Sequence, residues 1–294
     1  MYIPTTIKQS LIKYSAGEYV IHPDYKDNQL LRAWIEQSRF KEFEIPQYQM
    51  PQHARQRNFL YHFTLEAINK EVILKVSDYS RYQKWYRRLN QWLVSPFKDY
   101  SLNAYYGSIG LQTINIDSMH VLGYWTQQNS SKKSYLLYEK IPATMTAAEL
   151  CMKLDAEHPQ ADPIIQAITR KLAHITRDMH DNNMRHGDPH AGNFLLATPV
   201  ERITDLTEAS ATNLTFTLID LDKTCFSRCK KGLCKQLADL RDLRRFRVHT
   251  IEGIECLPYY LGHHPSNLQK VILKFWMRGG FNIYKWFKRG SKRK

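Results

Sequence analysis

The chain has 294 residues and a formal charge of +14, from 42 Lys and Arg against 28 Asp and Glu. Hydrophobic residues at 43% and aromatics at 12% exclude a disordered chain and allow a two-lobed domain with a real core. With no secretory leader, no long apolar run and five cysteines, the expected location is cytoplasmic, and the excess of cations calls for an anionic partner.

Residues 28–38 (NQLLRAWIEQS) read as a helix. Residues 57–68 (RNFLYHFTLEAI) and 71–76 (EVILKV) read as two strands around a turn at Asn69-Lys70. A basic aromatic stretch (RYQKWYRRLNQWL) and a further helix to about Leu111 follow, and SYLLYEKI is a strand ended by Pro142. Asp162-Pro163 then offers a cap and a first-turn proline, with Ile165, Ile168, Leu172, Ile175 and Met179 forming one apolar stripe. After HGDPHAGNFLL comes a polar stretch, 198–214, expected to be a surface insertion in a hairpin, and then a strand, TFTLIDL. The remainder is helical and basic. Strands followed by helices predict an α+β protein in two lobes, with an N-terminal extension over 1–40, an N-lobe over 41–141 and a C-lobe over 142–294.

One constellation carries chemistry. Asp188 and Asn193 stand five residues apart in a Gly/Pro loop, and Asp220 ends an apolar strand 27 residues later. Phosphoryl transfer needs one carboxylate to orient the attacking hydroxyl, with an amide oxygen and a second carboxylate to hold Mg²⁺. Lys75 ends the apolar run VILK, where a buried ammonium needs an anionic partner such as nucleotide phosphate. Each residue alone has a plainer reading: an edge-strand lysine, turn chemistry, a cap. Their joint occurrence in this order favours the chemical one.

These motifs resemble the protein-kinase-like superfamily, and MRHGDPHAGNFLL with FTLIDLDK is similar to the lipopolysaccharide core kinases. The nearest likeness is to the heptose II kinase (WaaY/RfaY) family, with WaaP and Kdo kinases more distant. The resemblance extends over about residues 40–294. It implies a kinase-like fold, ATP and Mg²⁺ as cofactors, Asp188 as base, Asn193 and Asp220 as metal ligands, and Lys75 on the α/β-phosphates. It also implies a supporting role for His186, with Glu139 and Ile141 bordering the adenine by position. The acceptor would be a sugar hydroxyl of lipopolysaccharide core, met at the anionic inner face of the inner membrane, with no nucleic acid partner. Another acceptor, or a pseudokinase scaffold, is the alternative.

The chain departs from the kinase pattern in three ways. No G-x-G-x-x-G precedes Lys75, where residues 47–57 (QYQMPQHARQR) are polar and basic. No Glu lies in the expected N-lobe helix, so the group that orients Lys75 stays open. Asp220-Leu221-Asp222 replaces DFG. Residues 223–247 hold nine Lys/Arg against two acids and 270–294 hold nine and none, which suits a phosphorylated acceptor and an anionic surface. Cys225, Cys229 and Cys234 match no common zinc spacing and are expected to be inert thiols.

Overall fold

The computed structural model describes residues 19–40, 58–78, 100–127, 130–142, 145–198, 200, 202–227, 232–243, 245–249 and 251–277. Residues 47–57, the basic aromatic stretch 81–93, Cys229, and the tail beyond 277 lie outside them. The chain divides into two compact units. Unit 1 is Met1–Thr144 with Leu195–Pro199 and Thr215–Phe226; unit 2 is Met145–Phe194 with Val200–Leu214 and Ser227–Lys294.

Unit 1 is built on a five-stranded antiparallel sheet. Its strands are β1 (Tyr19–Ile21), β2 (Asn58–Leu65), β3 (Lys70–Asp78), β4 (Val121–Gln127) and β5 (Ser130–Glu139), in the order β1-β4-β5-β3-β2. The β2–β3 hairpin turns at Asn69, which adopts φ 50°, a left-handed conformation that Asn tolerates. Helix α1 (Gln29–Phe40) starts where Asn28 Oδ1 accepts the Leu31 N–H at 2.8 Å. Its Leu31 and Ile35 pack with Val72, Leu74, Val76, Trp125 and Leu137 against one face of the sheet. Trp125 stacks on Tyr135 with ring centroids 5.4 Å apart. Residues 19–40 are thus no extension. Tyr19–Ile21 is an edge strand registered on β4, and α1 closes the core, because their apolar side chains supply one wall of it.

Side chains alternate along a strand, so the β3 face opposite Val72, Leu74 and Val76 carries Lys75. Helix α2 (Tyr100–Gln112) has buried residues on all sides, including Ala104, Tyr105, Ile109 and Leu111. The strand Phe216–Leu218 is tied into this unit by Met119 N–H to the Leu218 carbonyl and Leu218 N–H to the Asp117 carbonyl, both 2.9 Å. It is shorter than the sequence pattern suggested, because the chain leaves the extended conformation at Asp220.

Unit 2 is mainly helical: α3 (Ala147–Glu157), α4 (Ala161–Asp181), α5 (Glu208–Asn213), α6 (Leu233–Leu243), α7 (Gly253–Leu261) and α8 (Asn267–Met277). In α4, Ile165, Ile168, Leu172 and Met179 are buried and Ile175 half-buried, as the stripe requires. The helix begins at Ala161, so Asp162 lies within the first turn, where its charge complements the N-terminal dipole, and does not cap it. His180 anchors α4, with Nδ1 2.7 Å from the Tyr260 hydroxyl on α7 and Nε2 3.1 Å from Asp242 on α6. Within 198–214, expected to be a surface insertion in a hairpin, α5 forms behind a Thr207–Ser210 capping box and buries Ala211. Arg170 and Lys171 of α4 reach it at Glu208 (2.6 Å) and the Thr212 carbonyl (2.7 Å).

Among the described residues, no helix is long and apolar enough to cross a membrane.

Candidate functional site

In unit 1, β3 lies between β5 and β2, with Lys75 opposite Leu136 and Leu60. Lys75 is therefore not an edge-strand lysine reaching for water. Its side chain is only 9% exposed, and its ammonium finds two carboxylates, Asp222 Oδ1 at 2.8 Å and Asp220 Oδ1 at 3.0 Å. Burial opposes the charge, but the two aspartates override it and raise the lysine pKa. The partners differ in kind. Asp222 is 5% exposed and Asp220 is 43% exposed. Asp222 is thus a buried counterion, while Asp220 keeps an accessible carboxylate.

A short 3-10 turn, Leu221–Lys223, creates this arrangement. Asp220 precedes it at φ 54°, ψ 49°, a left-handed conformation that a short polar side chain can hold and that often marks a working residue. From α2, Asn103 Nδ2 donates to the Asp222 carbonyl at 3.2 Å. One turn on, Gly107 lets Thr224 approach so closely that an added Cβ would lie 3.0 Å from the threonine side chain. The helix lacks the expected Glu, and it acts on Lys75 indirectly: α2 holds the turn and Asp222 of the turn holds the lysine. Asp222 was the missing partner. Its only sequence signal was a second acid at an i+2 position after the strand.

In unit 2, His186 is fully buried, and Gly187 turns the chain at φ 82°, a conformation that requires glycine. The Asp188 carbonyl then accepts two hydrogen bonds, from His190 N–H at 2.8 Å and Asn193 Nδ2 at 2.9 Å. The tight loop brings Asp188 and Asn193 together. It also engages the amide nitrogen of Asn193, leaving the oxygen as the group available to a cation. Arg245 Nη1 donates to Asp188 Oδ2 at 2.8 Å, aiming a carboxylate that is itself mostly buried. The neighbouring cations have other tasks: Lys235 (2.7 Å) and Arg185 (2.9 Å) both grip Asp239.

Glu139 ends β5, and its carboxylate is taken up by Lys70 (2.7 Å), the Tyr25 hydroxyl (2.7 Å) and His120 Nδ1 (3.1 Å). Ile141 follows, half-buried. The thiols of Cys151 and Cys256 are buried, and burial pushes Cys151 up to about 12. A hard divalent cation takes oxygen ligands: in unit 1 Asp220 offers an accessible carboxylate beside the Lys75 ammonium, and in unit 2 Asn193 offers an amide oxygen. Taken unit by unit, these donors are of the type that a magnesium nucleotide uses.

Two solved structures are similar. WaaP in complex with acyl carrier protein shares 14% identity, covers 84% of this chain and 87% of its own, and has a TM-score of 0.46. The BubR1 kinase domain shares 14% identity over 74% of this chain and 55% of its own, with a TM-score of 0.39. No curated protein sequence matches. The model of the lipopolysaccharide kinase (Kdo/WaaP) family matches residues 108–255, half of the chain, a span that holds the Asp188–Asn193 loop, the Asp220–Asp222 turn and Arg245. On that match, the chain belongs to the lipopolysaccharide kinase (Kdo/WaaP) family.

Proposed function

We propose that this kinase transfers the γ-phosphoryl group of ATP to a heptose hydroxyl of lipopolysaccharide core. Mg²⁺-bound ATP supplies the phosphoryl group and the charge neutralisation on its oxygens. Lys75 holds the α/β-phosphates as a fixed cation. Asp220 and Asn193 hold the metal through oxygen. Asp188, aimed by Arg245, orients the acceptor hydroxyl and takes its proton. Glu139 and Ile141 border the adenine. The basic residues after the Asp220 turn meet the acidic groups of the acceptor, and the chain works at the cytoplasmic face of the inner membrane as a peripheral protein.

The observation that supports this reading best is the Lys75 ammonium, buried in the middle of a sheet between a hidden aspartate and an accessible one. A purely structural ion pair has no need of the second, exposed carboxylate on a strained backbone. In the test, core lipopolysaccharide is incubated with ATP and enzyme, and the product is weighed by mass spectrometry. The wild type adds the mass of one phosphate, and Asp188→Ala adds none while retaining its circular dichroism and melting curve. Full transfer by Asp188→Ala overturns the mechanism, and transfer only to acceptors other than core overturns the substrate.

A further inference from the structure

At one end of the unit 1 sheet, three side chains of metal-ligating type converge. His22 follows β1, Asp24 lies in the turn Pro23–Tyr25, and His120 precedes β4. His22 Nδ1 is 3.5 Å from Asp24 Oδ2, and His120 Nε2 is 3.8 Å from the same oxygen. All three ligand atoms lie within 4.8 Å of one another, and the imidazoles meet edge to face. A four-coordinate ion with bonds of about 2.0–2.1 Å needs ligand atoms roughly 3.4 Å apart. The two Asp24 contacts are already close to that spacing, and the Asp24 side chain is 69% exposed.

The opposite edges of the two rings supply a second, independent observation. His22 Nε2 is 3.0 Å from Gln112 Oε1, and His120 Nδ1 is 3.1 Å from Glu139 Oε1. Both oxygens only accept, so a neutral ring in either place would donate from these nitrogens and leave the facing nitrogen for a cation. A carbonyl or carboxylate behind each histidine is the arrangement that fixes tautomer and ring orientation in metal sites. Glu139 is itself held by Lys70 and Tyr25, so the support is anchored. The Asp24 backbone N–H approaches His22 Nδ1 at 3.2 Å, which agrees with a lone pair there and is a long contact for a cation to displace. Burial lowers the His22 pKa, against the smaller pull of its bond to Gln112.

We infer that His22 Nδ1, His120 Nε2 and an Asp24 oxygen form a binding site for a borderline divalent cation, zinc above all, separate from the nucleotide's magnesium. Two imidazoles and one carboxylate suit zinc, whereas magnesium prefers oxygen alone. The ion clips the edge strand β1 to the start of β4. The inference is independent of the proposed acceptor and of phosphoryl transfer.

The test uses the full chain, stripped with a chelator and titrated with Zn²⁺ against a chromophoric competitor. Co²⁺ serves as a spectroscopic probe. One equivalent is expected to bind, the Co²⁺ form showing d–d bands of a four-coordinate nitrogen and oxygen site and no thiolate charge-transfer band. Asp24→Ala, at an exposed position, and His120→Gln should each weaken Zn²⁺ binding about tenfold or more and abolish the upward shift in melting temperature that Zn²⁺ gives the wild type. Three results would overturn the site: no binding at micromolar Zn²⁺, affinity unchanged in both variants, or a thiolate band showing that the cysteines take the ion.

Discussion

Substituting Asn for Asp222, and then for Asp220, separates a buried counterion from the proposed metal ligand. The side chain keeps its shape and loses its charge, leaving Lys75 buried with Asp220 alone at 3.0 Å. Removing one partner of a buried pair costs about 3–5 kcal/mol when the other charge is left uncompensated. The second carboxylate remains here, so the expected loss for Asp222→Asn is about 2–3 kcal/mol. Asp220→Asn removes a carboxylate that is 43% exposed, while the 2.8 Å contact to Asp222 persists, and should cost under about 1 kcal/mol. Urea denaturation at pH 7, followed by circular dichroism, reads both values. Phosphate transfer should fall at least about a hundredfold in each variant, the range for losing a preorganised charge contact. The two carboxylates are thus expected to be similar in activity and far apart in stability. An Asp220→Asn variant less stable than Asp222→Asn would refute the assignment, as would an Asp222→Asn variant within about 0.5 kcal/mol of wild type, the usual span of surface substitutions.

Two further outcomes follow from the geometry. Arg245 is 44% exposed, so Arg245→Ala should leave stability within about 1 kcal/mol while lowering kcat/KM about tenfold or more, with partial recovery in Arg245→Lys; unchanged kinetics would remove Arg245 from the site. Burial raises the Glu139 pKa, but hydrogen bonds from Lys70 and Tyr25 and the nearby His120 win, and its folded value lies below the ordinary carboxylate value of about 4.3. Its contribution to stability is therefore complete above that value and is lost as pH falls through the folded value, so Glu139→Gln should flatten the acid limb of the stability curve, measured by melting temperature from pH 6 to 3.

The apolar stripe of α4, the β2–β3 hairpin and the Asp188–Asn193 loop were legible because each rests on local rules: a 3.6-residue period, alternation around an Asn turn, glycine at a positive φ. Asp188, Asn193, Lys75 and Asp220 could be named because their spacing is local or their order resembles a known one. The resemblance to lipopolysaccharide kinases held at the level of the family. The pairings that give those residues their electrostatics are not local. Lys75 and Asp222 are 147 positions apart, Asp188 and Arg245 57. The His22, Asp24 and His120 group likewise needs β1 registered on β4 across about a hundred residues. No periodicity encodes such contacts. The sequence by itself determined which chemistries were present and which elements carry them. Only the tertiary structure decided which acid neutralises which base, because buried charge must be paired and the partner is whichever side chain the packed core leaves within reach.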